Sequence, residues 1–459
     1  MKKIFFSIIV VSQLCLSQVN GTIDTSFNYG TGFSNQVNCI VEQPDGKILV
    51  GGSLGIYNAQ TVYFGLIRLN ADGSKDLTFS INIDPASTET VNQIILQPDG
   101  KIIVVGPTQK HILRLNPNGS IDTTFLIGTG FNQTANAVAL QPNGKILVGG
   151  DFSTFDGISA KKIVRLNTDG TLDNSFVNSA TNAGIDKIVL QTDGKILIGG
   201  GFGFNLQNID VGDLMRLNSD GSVDTTFNSE NGLGLNNPPL SILLEPNGKI
   251  LLAGGFTQYN NTNVGKVFRL DSDGTIDSSF QVLGTGISST VQSIHRLNNG
   301  QILAGGSFYY YNGEIVNGIV LLNNNGSRDY SLDSGTGFFG EVKTIALQAD
   351  QKLIMGGTFS SYNNVTANKI IRLVGASLMT NNYSLQKIDL YPNPATNRIY
   401  LTGLNGLIHY QLYSMAGQKI IDKVGFEKSI EVSNLPSGIY QIIIYEDDRV
   451  YIRKFVKEM

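Results

Sequence analysis

The feature that most constrains this chain is a ten-residue signature that recurs seven times. A second signature, RLN-x-[DN]-G-x-x-D-x-[TS]-F, follows the copies, with a decayed form at Leu321 and a truncated last copy. Equivalent positions are spaced 44 to 54 residues apart. Such a period predicts one supersecondary unit per repeat and a core formed between neighbouring units. The first signature, QPNGKILVGG in its third copy, begins at Gln43, Gln97, Gln141, Gln191, Glu245, Leu297 and Gln348.

Each repeat is predicted to form four short strands. In the third repeat these are Ala137 to Gln141, Lys145 to Gly149, Lys162 to Asn167 and Thr171 to Phe176. Alternating apolar residues bounded by Asn-Gly or Asp-Gly are a strong indication of hairpins. Four strands recurring at about 50 residues favour the blades of a β-propeller over the alternative β-solenoid.

The two ends of the repeat region complement each other. The seventh copy stops at Ile370 to Gly375 and lacks the strand that carries the DGxxDxxF pattern. The segment Asn20 to Phe27, NGTIDTSF, supplies that pattern at the other end. An N-terminal strand that completes the last blade would close the ring and leave no free sheet edge. The sequence therefore predicts an all-β fold with a seven-bladed propeller closed by its N-terminal strand, spanning residues 18–375.

The N-terminal residues 1–17 are predicted to be a signal peptide. Lys2 and Lys3 precede the apolar stretch Ile4 to Val11, and small residues suit cleavage after Ser17. Cleavage after Ser17 would remove Cys15 and leave Cys39 as a lone cysteine, which we expect to be a small packing residue. No later segment has membrane-spanning length. With a net charge of −4, the chain lacks the basic field expected of a nucleic-acid-binding protein.

The C-terminal region has a different residue pattern from the repeats. Residues 376–385 are predicted to be a linker, and residues 386–459 alternate apolar and polar positions in several short runs. We expect a small Ig-like β-sandwich there.

Two resemblances follow from these motifs. The paired repeat signatures resemble the delta-60 repeat family of bacterial secreted proteins, which implies a repeat architecture and no established activity. Residues 386–459 resemble the type A C-terminal sorting domain of cargo for the type IX secretion system of Bacteroidota. This implies contact with that secretion machinery and a secreted or outer-membrane-surface location. An ordinary Ig-like adhesion module is the alternative. The matching sorting residues are Pro392, Asn393, Pro394, Leu435, Pro436, Gly438, Tyr440, Lys454 and Lys457.

Catalytic and metal-binding motifs are not evident. The three histidines, His111, His295 and His409, fall in different repeats or domains, so no nucleophile–base pair is indicated. The stretch from Asp271 to Asp277 resembles part of a calcium loop, but it lacks a closing Glu, and Asp and Asn commonly stabilise turns. We therefore predict no catalytic residue, metal or cofactor.

A ligand is expected where the repeat is broken. Aromatic pairs recur in the loop between the second and third strands of most blades, which indicates a packing role, whereas blades two, four and six depart from the pattern. The candidate ligand residues are Phe204, Asp210, Asp213, Tyr309 and Tyr310.

Exposed aromatic side chains can stack on sugars or anchor a protein. We predict a monomeric, non-catalytic protein that binds a glycan or a surface macromolecule. A glycan-active hydrolase or lyase, which would need two converging carboxylates, and a structural surface-layer component are the alternatives.

Overall fold

The computed structural model describes most of the chain in two compact units, Met1–Leu378 and Met379–Met459. The predicted signal peptide and linker lie outside the described residues. Those residues are 21–81, 89–177, 183–202, 212–228, 234–280, 284–332, 334–374, 390–402, 408–414, 419–425, 429–446 and 449–458.

The first unit contains seven blades, each an antiparallel sheet of three strands in which the second strand pairs with both the first and the third. Blades 1 to 3 comprise Val37–Glu42, Ile48–Gly52 and Leu66–Leu69; Gln93–Leu96, Ile102–Val105 and Ile112–Leu115; and Ala135–Leu140, Ile146–Gly150 and Ile163–Leu166. Blades 4 and 5 comprise Lys187–Leu190, Ile196–Gly199 and Leu214–Leu217; and Pro239–Leu244, Ile250–Gly254 and Val267–Leu270. Blades 6 and 7 comprise Val291–Arg296, Ile302–Gly306 and Ile319–Leu322; and Val342–Leu347, Leu353–Gly357 and Ile370–Leu373.

The blades form a closed ring. The first strand of each blade contacts the first strand of the next, and that of blade 7 contacts that of blade 1. The core lies between blades, because each second strand is buried along its whole length. One apolar cluster joins Val37 and Val50 of blade 1 to Ile354 and Ile370 of blade 7. The predicted all-β, seven-bladed propeller is thus confirmed.

The fourth strand of each blade is shorter than predicted. In blade 3 it is a single bridge between Leu166 and Leu172. The chain then turns, because the Asp173 carboxylate accepts hydrogen bonds from both the backbone nitrogen and the hydroxyl of Ser175. Such a local side-chain bond competes with sheet pairing.

The N-terminal segment supplies the fourth strand of blade 7. Ile23 bridges to Leu373, flanked by hydrogen bonds from Asp24 N to Arg372 O at 2.9 Å and from Val374 N to Thr22 O at 2.8 Å. Closure of the ring by the N-terminal strand is confirmed.

The second sequence signature forms a polar cluster that connects six of the blades to the next blade. Arg165 donates to Asp173 at 2.6 Å, Lys145 donates to the same carboxylate oxygen at 2.7 Å, and the guanidinium lies over the Phe176 ring. The same arginine reaches the next blade and donates to the carbonyl of Ser219 at 2.7 Å.

The cluster recurs around the ring with one exception. In blade 7 Arg372 pairs with Asp24 and donates to the carbonyl of Ala71 in blade 1, so it spans the closure. Blade 6 carries Leu321 and Gln301 in place of the arginine and lysine. Blade 6 therefore cannot form this arginine-centred cluster with blade 7.

Short hairpins extend the connection between the second and third strands in five blades. They place the recurring aromatic pair inside the protein, and the Tyr259 hydroxyl donates to the carbonyl of Gly274 at 2.6 Å. The predicted packing role of these pairs is confirmed by the 0% exposure of Phe152 and the 2% exposure of Phe155. The hairpins pair Ile56–Tyr57 with Gln60–Thr61, Thr154–Phe155 with Ile158–Ser159, Gln258–Tyr259 with Thr262–Asn263, Tyr310–Tyr311 with Glu314–Ile315, and Ser361–Tyr362 with Val365–Thr366. Phe338–Phe339 joins the last of these, and a 3-10 helix spans Tyr63–Gly65.

The second unit is built from two antiparallel sheets that share one apolar core. Ile399 and Ile430 of the smaller sheet pack with Leu412, Ile442 and Phe455 of the larger one. This arrangement forms a small β-sandwich, and its Ig-like character remains a prediction. The smaller sheet contains Leu390–Tyr391, Arg398–Leu401 and Ser429–Glu431, and the larger contains Lys419–Gly425, Ile408–Ser414, Gly438–Glu446 and Arg449–Lys457.

Candidate functional site

The hairpins and the glycine-rich connections between blades meet on one face of the propeller, which we call the loop face. Phe33, in the Gly30 to Phe33 segment that leads into blade 1, bridges to Tyr57, and Phe131, in the equivalent segment between blades 2 and 3, bridges to Phe155. The Asn58 side chain accepts a hydrogen bond from the backbone nitrogen of Thr31 at 2.7 Å. The repeated loops therefore contact one another on this face.

The channel opens on the loop face where the seven first strands begin. One position per blade lines this opening, and we call these seven residues the mouth ring. Together with Gln36 and Lys187 they surround a cavity of about 410 Å³. Although the blades are alike, the mouth ring combines amides, a carboxylate, an ammonium and one apolar side chain. Its members are Asn38, Asn92, Asn136, Asp186, Leu240, Gln292 and Lys343.

Two carboxylates approach each other at the edge of the mouth ring. The Asn136 side-chain nitrogen donates to Asp151 at 3.1 Å and to Asp186 at 3.0 Å, and the amide oxygen accepts from Asn92 at 3.2 Å. Burial and the nearby negative charge of Asp151 raise the pKa of Asp186. This arrangement can hold a carboxyl group ready to accept or donate a proton.

Two lysines bring positive charge to the same cavity. Lys343 donates to the side-chain oxygen of Gln36 at 3.3 Å and lies 4.0 Å from Glu341. Lys187 lines the cavity beside Asp186, and burial lowers the pKa of its ammonium group. The mouth ring thus offers both hydrogen-bond acceptors and donors to a polar ligand.

The predicted ligand residues do not all come together. Tyr309 and Tyr310 are 61% and 48% exposed on the blade 6 hairpin, where their backbone nitrogens bond to the Ser288 hydroxyl. Asp213 is buried at 8% exposure. Phe204 and Asp210 lie outside the described residues.

One other exposed apolar side chain adjoins the two tyrosines. Ile315, which pairs with Tyr310 in the hairpin, is 66% exposed. Tyr309, Tyr310 and Ile315 form what we call the blade 6 patch. Phe339, on the strand that pairs with the blade 7 hairpin, is also 75% exposed.

The acidic turns are held by their own local bonds. Asp273 accepts from the backbone and hydroxyl of Thr275, and Asp271 pairs with Lys249 at 2.8 Å. Within the described residues no group of three or more His, Cys, Asp or Glu side chains is arranged to hold a metal ion. The described chain also contains no helix with the length and apolar character to cross a bilayer.

The sorting residues converge on the last strand of the second unit. Asn393 accepts from the backbone nitrogen of Val456 at 2.9 Å and donates to the carbonyl of Lys454 at 3.2 Å. Tyr440 donates to the carbonyl of Pro436 at 2.8 Å, and its ring stacks on Phe455. Direct contacts therefore join the segment around Asn393 and the segment Pro436 to Tyr440 to the last strand.

The remaining sorting residues differ in their exposure. Pro392, Pro394 and Lys454 are exposed, Leu435 and Gly438 are half-buried, and Lys457 is buried.

Structures with a related chain path have low sequence identity to this chain. The extracellular domain of what is described as a hybrid two component system from B. thetaiotaomicron shares 14% identity, with a TM-score of 0.51, over 93% of this chain and 55% of the other. PorZ, a surface component of the type-IX secretion system of Porphyromonas gingivalis, shares 15% identity over 95% and 54%, with a TM-score of 0.36. Virginiamycin B lyase from Staphylococcus aureus shares 13% identity over 74% and 94%, with a TM-score of 0.46.

The chain spans less than two thirds of the length of the extracellular domains that it matches among these one- and two-component systems. No curated protein matches it at a significant level.

Family models match both units. The sorting-domain model, described as a secretion system C-terminal sorting domain, matches residues 389–458 and indicates export to the cell surface or the extracellular space. The propeller model matches seven segments, 43–79, 97–125, 141–176, 191–227, 245–280, 297–332 and 348–373. The chain belongs to the DUF5122 β-propeller family, which is described as a domain of unknown function, and its C-terminal region is a type IX secretion sorting domain.

Proposed function

We propose that this exported protein is a non-catalytic binding protein whose loop face holds a glycan of the cell surface or its surroundings. The mouth ring carries this proposal, because seven structurally equivalent positions bear unlike polar side chains around one cavity. A residue needed only for folding would be expected to recur from blade to blade, as the Arg–Asp clusters do. Convergent amides and charges in a concave opening are typical of a ligand site.

A sugar is the ligand that these groups fit best. Asn38, Asn92 and Gln292 can donate to or accept from hydroxyl groups, while Asp186 and Lys343 supply charged partners. The blade 6 patch adds flat aromatic surface on the same face, which suits the apolar face of a pyranose ring. A polymer could therefore contact the mouth ring and the blade 6 patch together.

The proposal is tested on the exported full chain with a glycan array, followed by calorimetric titration of each positive glycan. We expect the Asp186→Asn/Lys343→Gln double variant to lose about tenfold or more in affinity, since each change removes a charge-assisted hydrogen bond. Tyr309→Ala/Tyr310→Ala should weaken binding of longer glycans in particular. The matched control is Tyr330→Ala, a 70% exposed tyrosine on the outer edge of the same blade.

Loss of binding in the two double variants with retention in the control supports the proposal. Equal affinities in all four proteins would contradict a site on the loop face, and absence of binding to any glycan would contradict the ligand class.

A glycan-active hydrolase is the second candidate, because Asp151 and Asp186 share the Asn136 amide and the pKa of Asp186 is raised. Paired carboxylates with separated pKa values are the usual groups of glycoside hydrolysis. Incubation with each bound glycan and measurement of reducing ends separates the two functions. Release of reducing ends that disappears in Asp186→Asn would favour the enzyme, whereas binding without release favours the binding protein.

A further inference from the structure

One lysine differs from all the residues at the equivalent position of the other blades. In each blade the residue after the mouth-ring member pairs with the end of the second strand, and in blade 4 this residue is Lys187, opposite Gly199. Because none of the other six residues is basic, the repeat does not require an amine here. These six are Cys39, Gln93, Ala137, Ser241, Ser293 and Thr344.

The amine of Lys187 has no protein partner in the part of the chain that the structure describes. It forms no hydrogen bond or ion pair there, and the adjacent blades place the uncharged Ala137 and Ser241 at the same register. The side chain is half-buried and lines the mouth-ring cavity. Its nitrogen is not one of the fully buried unpartnered atoms of the described residues, so a ligand in the cavity can reach it.

The surroundings of this amine favour its neutral form. Burial opposes the positive charge and lowers the pKa of Lys187. Asp186 and Cys39 oppose this shift only when they are ionised, and burial raises the pKa of both groups. A neutral amine is a nucleophile, whereas an ammonium group is not.

A carboxyl group that can carry protons lies in the same cavity. Asp186 precedes Lys187 in the first strand of blade 4, and both residues line the mouth-ring cavity. Asn136 donates to Asp186 at 3.0 Å and to Asp151 at 3.1 Å, which keeps a second carboxylate nearby. A nucleophilic amine and a proton-carrying acid are the groups that condensation of an amine with an aldehyde requires.

We propose that Lys187 captures small hydroxyaldehydes, the class that includes open-chain reducing sugars, as an imine in the mouth-ring cavity. The nitrogen attacks the carbonyl carbon and forms a C–N bond, while the carbonyl electron pair moves to the oxygen, which takes up a proton. The C–O bond then breaks, and the oxygen leaves as water with the two protons that the amine has lost. Asp186 relays these protons, and the step needs no oxidant or reductant.

The other polar members of the mouth ring suit the rest of such a ligand. Asn38, Asn92 and Gln292 can exchange hydrogen bonds with the hydroxyl groups beside the aldehyde. The cavity, at about 410 Å³, has the size of a small-molecule site. The choice of sugar aldehydes rests on the proposed function, whereas imine formation at Lys187 does not, so the two can be tested separately.

Reductive trapping on the full exported chain tests imine formation. The protein is incubated near neutral pH with glycolaldehyde and cyanoborohydride, which reduces an imine to a stable amine, and peptide mass spectrometry quantifies each lysine. We expect Lys187 to be labelled about tenfold or more faster than Lys249, because one unit of pKa changes the neutral fraction of an amine about tenfold. Lys249 is the internal control, since its hydrogen bonds to Asp271 and Asp277 raise its pKa.

Two further measurements separate a binding site from a merely reactive amine. The labelling rate of Lys187 should saturate with glycolaldehyde concentration, whereas that of Lys249 should rise linearly. In the intact protein the fast phase of labelling should be lost in Lys187→Arg, which keeps a long cationic side chain. It should persist in Lys161→Arg, the matched change at an exposed lysine of blade 3. Unaltered thermal unfolding of both variants shows that the fold is retained.

Labelling of Lys187 that is no faster than that of Lys249, or a fast phase that persists in Lys187→Arg, would overturn the proposal. Glycan binding without trapping at Lys187 would contradict this inference alone and leave the proposed function in place. Saturable trapping at Lys187 together with a negative glycan array would support the aldehyde site and contradict the glycan function.

Discussion

At the residue scale, the most repeated chemistry is a buried aspartate held ionised by its neighbours. Burial opposes ionisation of Asp24, but hydrogen bonds from Ser26 and Lys352 and the charge of Arg372 outweigh it and hold its pKa at about 2. The same balance lowers the pKa of Asp76, Asp122, Asp173, Asp224 and Asp277. Protonating any of them leaves a buried arginine without its counter-charge.

These aspartates predict a steep loss of stability in acid. Their native pKa values lie below the unfolded value of about 3.9, so the stabilisation is complete above about pH 4 and is lost as the pH falls toward 2. Each site then contributes a slope of about 1.4 kcal/mol per pH unit. Urea unfolding midpoints should be level from pH 7 to 5 and should fall sharply below 4.

The variant Asp173→Asn tests the assignment of that slope to the polar clusters. It should be less stable than the wild type at pH 7. Below pH 4 its stability should fall less steeply, because one of the titrating carboxyl groups, with its slope of about 1.4 kcal/mol per pH unit, has been removed. Asp45→Asn, in an exposed turn, is the matched control and should retain the full slope. An unchanged slope in Asp173→Asn would place the acid sensitivity elsewhere.

At the element scale, the hairpins are attached to their blades by a buried ring and, in four of them, by a hydroxyl. Tyr57, Tyr259, Tyr311 and Tyr362 each donate to a backbone carbonyl at the strand 3–4 turn of the blade that they cover. Blade 3 has Phe155 at this position and still forms the hairpin. The ring therefore fixes the element, and the hydroxyl adds to its stability.

The change Tyr259→Phe separates the two contributions. We expect a loss of about 1 kcal/mol in the free energy of unfolding, because the Gly274 carbonyl loses its donor while the ring stays in place. Denaturant unfolding measures this loss. Tyr310→Phe, whose side chain is 48% exposed in another hairpin, should leave stability unchanged. Equal stability of Tyr259→Phe and the wild type would mean that the hydroxyl contributes nothing.

Repeated elements were predictable from the sequence, and unrepeated residues were not. The missing last strand and its replacement by Asn20 to Phe27 could be predicted because every other blade shows what that strand contains. Asp186 escaped notice because it lies at a repeat position that holds Asn, Leu, Gln or Lys in other blades. Asp213 was expected at a ligand face from its acidic loop, but composition does not reveal which side chains turn inward, and it is buried.

At the scale of the whole molecule, one short strand pairing between residues far apart in the chain completes blade 7. Ile23 and Leu373 face each other as a non-hydrogen-bonded antiparallel pair, since the flanking bonds join residue 22 to 374 and residue 24 to 372. Backbones approach most closely at such pairs, within the range that a disulfide can bridge. Opening this contact would expose the edge of blade 7, while the apolar cluster shared with blade 1 would remain.

A disulfide at this pair should lock the ring. In Ile23→Cys/Leu373→Cys, expressed without residues 1–17, the oxidised form should exceed the reduced form in stability by up to about 5 kcal/mol, because the cross-link closes a loop of nearly the whole propeller. Comparing the two redox forms cancels the packing lost by both substitutions. Burial raises the pKa of the remaining thiol, Cys39, to about 12, which disfavours its participation in exchange.

The matched control is Leu69→Cys/Lys75→Cys, which places a disulfide at the equivalent bridge of blade 1. Its geometry in the sheet is the same, but the loop that it closes is a single turn, so the expected gain is only about 2 kcal/mol. A larger gain at the Ile23–Leu373 pair would show that the unfolded chain is restrained through ring closure. Equal gains at the two bridges would instead assign the stabilisation to local strand pairing, and the N-terminal strand would then act only as a cover for the blade 7 edge.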